Sequence, residues 1–348
     1  MNLPPTLLRV LEESGKRVLV YDIGRRVGVL PRQTFADFEA ACLPYPFPMQ
    51  RKASFAVVQT GDEKHAIEPV IWFLRLSLDE QGLMIPAERD YLLNRLLESA
   101  QARQQGEDPQ AFLQDNPHAF TPREDRMALF HARLSADLGL PPSRFYAHAL
   151  DYFGGVPGWD QWGFVGYQGI ADVACRHADE PLDTAIAHLP QEPLIALCHC
   201  LEVQTPGPSL EAALLDRLEQ ATAAGNANIG EIAALVRSLS MSTSRAAVTA
   251  AIEKLLAQPV ARNIEILAAI SGRAWESLHD PAALNAYLAR LAGNDHGQAA
   301  FEQCVSDVLS LPSLAQTVRE ALRSPDQPVG VREAFGRMAQ PGKAPSVD

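Results

Sequence analysis

Between residues 123 and 324 the chain holds no stretch of alternating apolar and polar residues, and this constrains the fold more than any other feature of the sequence. Apolar residues recur there three and four apart, the spacing of one face of an α-helix. The segments are 123–139, 142–153, 165–178, 181–189, 192–204, 209–224, 229–240, 243–257, 260–278, 281–292, 297–310 and 312–323. Short breaks such as "LGLPPS", "QTPGPS" and "AAGNANIG" separate them. Ser209 and Thr243–Ser244 stand at helix starts, where hydroxyls can accept from free backbone N–H groups. Successive helices with short links form antiparallel pairs, so this half is expected to be an all-α array, either HEAT/armadillo-like or a bundle. No residue signature repeats at a fixed period.

The first 105 residues read differently. "LPPTLLRVLEE" (3–13) predicts a short helix, and "KRVLVYDIGRRVGVLP" predicts a β-hairpin. Phe35, Phe38 and Cys42 mark one helix, and "PAERDYLLNRLLESAQARQQ" marks another with Pro86 at its start. "ASFAVVQT" and "EPVIWFLRLSL" are strand-like. Four strands with short connections imply a small α+β domain with a mainly antiparallel sheet. The expected organisation is that domain at 1–105, a linker at 106–122, a helical domain at 123–324 and a largely disordered tail at 325–348. Within the tail "VREAFGRM" can form a short helix.

Charge narrows the partners. Of 30 basic and 42 acidic residues, 13 of each lie in 1–105, so the remaining 17 and 29 put all the excess acid in the rest of the chain. Such a field repels nucleic acid and anionic membranes. No run of about 18 apolar residues occurs, so no membrane span is expected. Five cysteines give no disulfide framework, and the N-terminus lacks a basic start and an apolar core. A cytoplasmic setting is therefore expected.

"GGVPGWDQWGFVGYQG" (154–169) is the densest cluster of glycine and tryptophan. Neither a Walker loop nor a dinucleotide loop fits. The Lys and Ser/Thr that hold phosphate are missing after Gly169, and "LDYF" ends a helix pattern rather than a strand. The glycines suit helix ends and close backbone approach. Trp159, Trp162, Phe164 and Tyr167 then either pack the start of the helical domain or, with Asp160, form a partner site.

Other candidates divide in the same way. Asp22, Arg25 and Arg26 in "DIGRR" either bind an anionic group or form a turn-closing ion pair. "PYPFPMQRK" (44–52) is pre-ordered by proline, so Tyr45, Phe47 and Met49 either bind a partner or fill a buried crossing segment. Asp79 and Glu80 read as turn residues. "ACRH" and "LCHCL" hold Cys and His, but C-x-C on a helix points its thiols about 200° apart. Cys198 shares its face with Leu194, Leu197 and Leu201 and reads as core. No metal site, cofactor or catalytic motif is expected.

Four blocks, "YDIGRRV" (21–27), "PYPFPMQ" (44–50), "IWFLRLSLDEQGL" (71–83) and "FYAHALDYFGGVPGWDQWGFVGYQGIAD" (145–172), together resemble an uncharacterised proteobacterial family of unknown function along the full length. The resemblance implies a bacterial cytosolic protein and carries no activity, cofactor or catalytic residue with it.

The expected function is a non-enzymatic scaffold or adaptor whose acidic helical surface binds another protein. The alternative is an enzyme or small-ligand sensor with a pocket between the two domains, using Asp22, Arg25, Arg26, His148, Asp151, Tyr152 and Trp159. Nucleic-acid binding would need Arg25, Arg26, Arg32, Arg51 and Lys52 on one face.

Overall fold

The computed structural model describes residues 6–13, 15–61, 69–104, 116–177 and 180–339. The chain divides into two compact units, residues 1–127 with 310–312, and 128–309 with 313–348.

The first unit is α+β, as its patterns predict. Helix α1 (Leu7–Glu12) is followed by β1 (Arg17–Asp22), β2 (Gly28–Leu30), α2 (Arg32–Glu39), β3 (Lys52–Thr60), β4 (Val70–Ser77) and α3 (Pro86–Gln104). The sheet is antiparallel throughout, in the order β2-β1-β3-β4. Central β3 is buried along nearly its whole length, which is why its sequence runs "ASFAVV" without alternation. Val20, Phe55, Val57, Trp72 and Leu74 share a core with Leu7, Leu8 and Leu11 of α1, Phe35 and Phe38 of α2, and Leu92 and Leu93 of α3. Glu39 accepts from the backbone N–H groups of Leu7 and Leu8, so a carboxylate from α2 covers the open start of α1. Burial pushes the Glu39 pKa up to about 7.

The linker reading of 106–122 falls largely on residues outside the described set. Its described end is part of the sheet edge. Arg75 N–H donates to His118 O at 2.8 Å and Phe120 N–H to Phe73 O at 3.1 Å. Extended backbone finds partners there because the outer side of β4 would otherwise leave a row of open donors and acceptors.

The second unit is wholly helical among its described residues. It comprises α4 (Glu124–Asp137, which crosses the unit boundary), α5 (Tyr146–Phe153), α6 (Tyr167–Arg176), α7 (Leu182–His188), α8 (Gln191–Leu201), α9 (Pro208–Ala223), α10 (Ile229–Ser238), α11 (Arg245–Ala257), α12 (Ile264–Gly272), α13 (Pro281–Ala292), α14 (Gly297–Leu309), α15 (Ala315–Arg323) and α16 (Val329–Met338). Helices contact the helix two further along. One row runs α6, α8, α10, α12, α14 and the other α7, α9, α11, α13. The rows meet through α9–α10, α12–α13 and α13–α14. This two-row stacking is an array, in which each helix hides its apolar stripe between a neighbour in its own row and the facing row.

Three local readings change. The segment 260–278 is not one helix: 3-10 turns at Pro259–Arg262 and Trp275–His279 flank α12. Ser209 and Ser244 do not cap their helices through their side chains. Asn228, Asn263 and Asp280 perform that role for α10, α12 and α13. The tail reading changes in extent: the helix expected at "VREAFGRM" is present as α16, which begins two residues earlier at Val329 and buries Val331 and Ala334 against the array. Two apolar residues three apart suffice once α13 and α14 supply a surface. Residues 340–348 lie outside the described ones.

Ion pairing ties one row together. Glu202, at the end of α8, is almost fully buried and lies 2.7 Å from Arg237 of α10 and 3.2 Å from Arg273, just past α12. Its backbone oxygen also accepts from Ser240 Oγ at 2.6 Å. A single carboxylate thereby joins three successive helices of the row, α8, α10 and α12, at their C-terminal ends.

Candidate functional site

The sequence-selected residues fall into two clusters, one in each unit. In the first unit, β1 delivers Asp22 to its last position and the chain turns at once toward β2. Asp22 accepts from Tyr45 Oη at 2.7 Å and from the backbone N–H of Arg26. Arg25 Nε donates to Pro48 O at 2.9 Å, and Ile23 N–H donates to Ser54 O at 2.8 Å. Asp22, Arg25 and Tyr45 are fully buried and Arg26 nearly so. Burial pushes the Asp22 pKa up to about 7, against the hydrogen bonds from Tyr45, Arg26 and Gly24 and the positive charge of Arg126. Burial also raises Tyr45, followed by the charge of Asp22.

This arrangement corrects the exposed-anchor reading of "PYPFP". Tyr45 is core, with its ring 5.0 Å from that of Phe38, and Phe47 packs against the same core. The proline-rich segment bends at Pro46 and Phe47 and brings the Tyr45 hydroxyl to Asp22. Neither of the surface roles suggested for Arg25 and Arg26 fits their burial, since a shared basic face needs exposed guanidiniums. Arg32 is exposed but pairs with Glu12 at 2.6 Å. Asp79 closes a turn, accepting from Gln81 and Leu83 N–H at 2.8 Å. Chemically, the Asp22 cluster is a brace for the β1–β2 turn. Its carboxyl can hold a proton near neutrality, but it has no surface open to a substrate.

The second cluster is built on α5 and α6. Helix α5 ends at Gly154, and Gly155 takes φ +74°, a conformation that suits glycine. A 3-10 segment, Trp159–Phe164, then leads to α6. Buried Tyr152 holds this loop, donating from Oη to Trp159 O at 3.0 Å. Its ring meets that of Trp159 edge-on at 5.7 Å and that of Trp162 at 6.3 Å. Trp159 also stacks on His188 at 6.2 Å. Gly169 lets α6 cross α5 closely: a Cβ there would lie 2.5 Å from Phe145 O and 3.0 Å from Ala149 Cβ. Buried Asp172 fixes the approach to α5, accepting from Ser143 N–H at 3.0 Å.

The loop is therefore rigid at its base and open at its rim. None of the residues Trp159–Phe164 is buried. Trp159, Trp162 and Tyr167 are half-buried, while Asp160 is exposed and accepts from Gln161 at 2.8 Å. Val156 and Phe164 are 77% and 76% exposed. Val156, which sequence reasoning passed over, was marked only by its place among glycines in a tight loop.

The residues named for an active site are separated by unit. Asp22, Arg25 and Arg26 belong to the first, and His148, Asp151, Tyr152 and Trp159 to the second. His148 and Asp151 are both exposed. Cys198 and Cys200 are core, and burial pushes the Cys198 thiol up to about 12. Among the described residues no group of His, Cys, Asp and Glu has the arrangement of a metal site, and no helix is long and apolar enough to cross a membrane.

Comparison with known proteins adds one finding. A family described as "Protein of unknown function (DUF3549)" matches residues 5–339, nearly the full chain. Neither the curated proteins nor the solved structures contain a match.

Proposed function

We propose that this chain, which belongs to the DUF3549 family, is a non-enzymatic adaptor of the bacterial cytoplasm that engages another protein through the loop between α5 and α6. One observation carries the reading: Val156 and Phe164 stand three-quarters exposed on a loop whose base is locked by Tyr152, Trp159 and Trp162. Large apolar groups held out on a rigid base bind at little ordering cost. Aromatic residues so placed are typical interface anchors.

The charge around the loop indicates the partner's chemistry. The chain holds no Lys or Arg between Arg144, whose guanidinium lies over the Phe145 ring, and Arg176, while Asp151 and Asp160 are exposed. A matching surface is an apolar pocket with a basic rim. The test is affinity capture from cell extract by the wild-type chain and by a Val156→Asp/Phe164→Ser double variant. A stoichiometric protein held by the wild type and lost by the variant, at unchanged melting temperature, supports the reading. Capture of nothing stoichiometric, or equal capture by both, refutes it.

A further inference from the structure

A different surface of the helical unit has the form of a receptor for a helix. Helices α9 and α11 are neighbours in one row, and a groove of about 520 Å³ runs between them. Helix α11 turns Val248, Ile252, Leu255 and Leu256 to the core. Its flank toward α9 presents Ala247, Ala250 and Ala251, spaced three and four apart, with Lys254 next in the same series. An outward helix face in contact with water normally carries charged and polar groups. Here it carries methyl groups, and Leu215 and Leu218 of α9 line the opposite wall. Small side chains on one wall leave room for larger apolar ones from elsewhere.

The groove's length follows from α11. Its 13 residues span about 20 Å at the rise of an α-helix, enough to seat about three turns of a bound helix. The charge at the rim selects the occupant. On one side stand Asp216 and Glu219 of α9. On the other, a second hollow of about 670 Å³ adjoins at Ala250 and is lined by Glu253, Glu276 and Asp280. Against these five acids stand Lys254, Arg245 and His279, each already engaged: Lys254 lies 3.4 Å from Glu219, Arg245 3.9 Å from Glu276, and the His279 ring bonds the Glu276 and Ser313 backbone oxygens. The surplus is negative on both flanks of an apolar floor.

We infer that the α9–α11 groove binds an amphipathic helix of a partner protein, with Leu- and Ala-type residues on its inserted face and Lys or Arg along its flanks. Apolar anchors at i, i+3, i+4 and i+7 would seat against the alanine face. The acidic rim rejects acidic helices, nucleic acid and anionic lipid alike. This surface is not the 156–164 loop, and either site can fail without the other.

The experiment is fluorescence anisotropy with the full chain and a labelled helical peptide of about fourteen residues, made of Leu, Ala and Lys with the lysines on one face. A second peptide has Glu in place of Lys. The expected result is saturable binding of the Lys peptide and at least about tenfold weaker binding of the Glu peptide. Ala250→Trp should weaken the Lys peptide at least about tenfold at unchanged net charge. Phe164→Ser should leave its affinity as in the wild type. Equal binding by Ala250→Trp and wild type would reduce the effect to bulk acidity and overturn the inference. So would equal affinity for both peptides. A wild-type dimer that Ala250→Trp converts to a monomer, read by light scattering, would identify a second copy as the occupant and likewise overturn it. If Ala250→Trp does not fold by circular dichroism, Ala247→Phe, which fills the same groove at unchanged net charge, takes its place, with the same tenfold loss expected.

Discussion

Gly169→Ala is the sharpest test of how the 154–169 stretch is built. Two effects oppose each other. Alanine favours a helix interior by about 1 kcal/mol over glycine, so at an open site the change would stabilise. At Gly169 the added methyl would lie 2.5 Å from Phe145 O and 3.0 Å from Ala149 Cβ, and both obstacles belong to α5. A carbonyl oxygen in a helix cannot swing away as a flexible side chain can, so α5 and α6 must separate. Overpacking costs about 1–3 kcal/mol, and with helix backbone as the obstacle the upper part of that range, about 2–3 kcal/mol, applies; less the propensity gain, the net loss is about 1–2 kcal/mol. For a domain of this size that lowers the melting temperature by about 2–8 °C, read from the far-ultraviolet circular dichroism of the helical unit. Gly163→Ala is the internal control, because its Cβ would enter open space and its stability should not fall. If Gly169→Ala melts at or above the wild-type temperature, the close crossing of α5 and α6 is not what holds the aromatic loop, and the argument for a rigid base fails.

Three further outcomes are expected. The Asp22 carboxyl has its pKa raised from 3.8 to about 7. Its contribution is therefore fully present below pH about 4 and is lost as pH rises through about 7. The separation corresponds to roughly 4 kcal/mol. Glu39 adds a slope of the same sign. Urea melts of the wild type should show stability falling across that window, and Asp22→Asn should flatten the fall; an unchanged slope would refute the buried-carboxyl account. Glu202→Gln leaves Arg237 and Arg273 without their shared carboxylate at a nearly fully buried position, so urea denaturation should register a loss of about 3–5 kcal/mol. Of the five thiols, Cys42 is exposed, Cys198, Cys200 and Cys304 are buried, and burial holds Cys175 and Cys198 up at about 12. A disulfide-exchange reagent should label one thiol quickly in the native protein and all five after denaturation; two or more fast thiols would contradict this packing.

Much of the architecture was already present in the order of residues. Apolar spacing marked α9, α10, α13 and α14 to within a few residues, and the "KRVLVYDIGRRVGVLP" hairpin and the antiparallel sheet followed from short connections between β-branched runs. Helix and strand periods are local, so a window of a dozen residues contains them. Caps were less legible. Ser242, just before α11, donates to Glu211 and accepts from Ser244 N–H, and the first is a pairing across 31 positions that no local window reveals.

The functional candidates were visible as residue types, but their standing was not. Tyr45 and Phe164 are both aromatic residues in proline- or glycine-rich stretches. One is fully buried beside Asp22 and the other is three-quarters exposed. Likewise the alanines of α11 read as helix formers, and nothing in their spacing says that they face a groove rather than a neighbour. Burial and exposure are sums over contacts from distant parts of the chain, and only the packed helices and sheet supply those contacts. Sequence determined which segments coil and which extend; tertiary packing decided which of their side chains are left for a partner to meet.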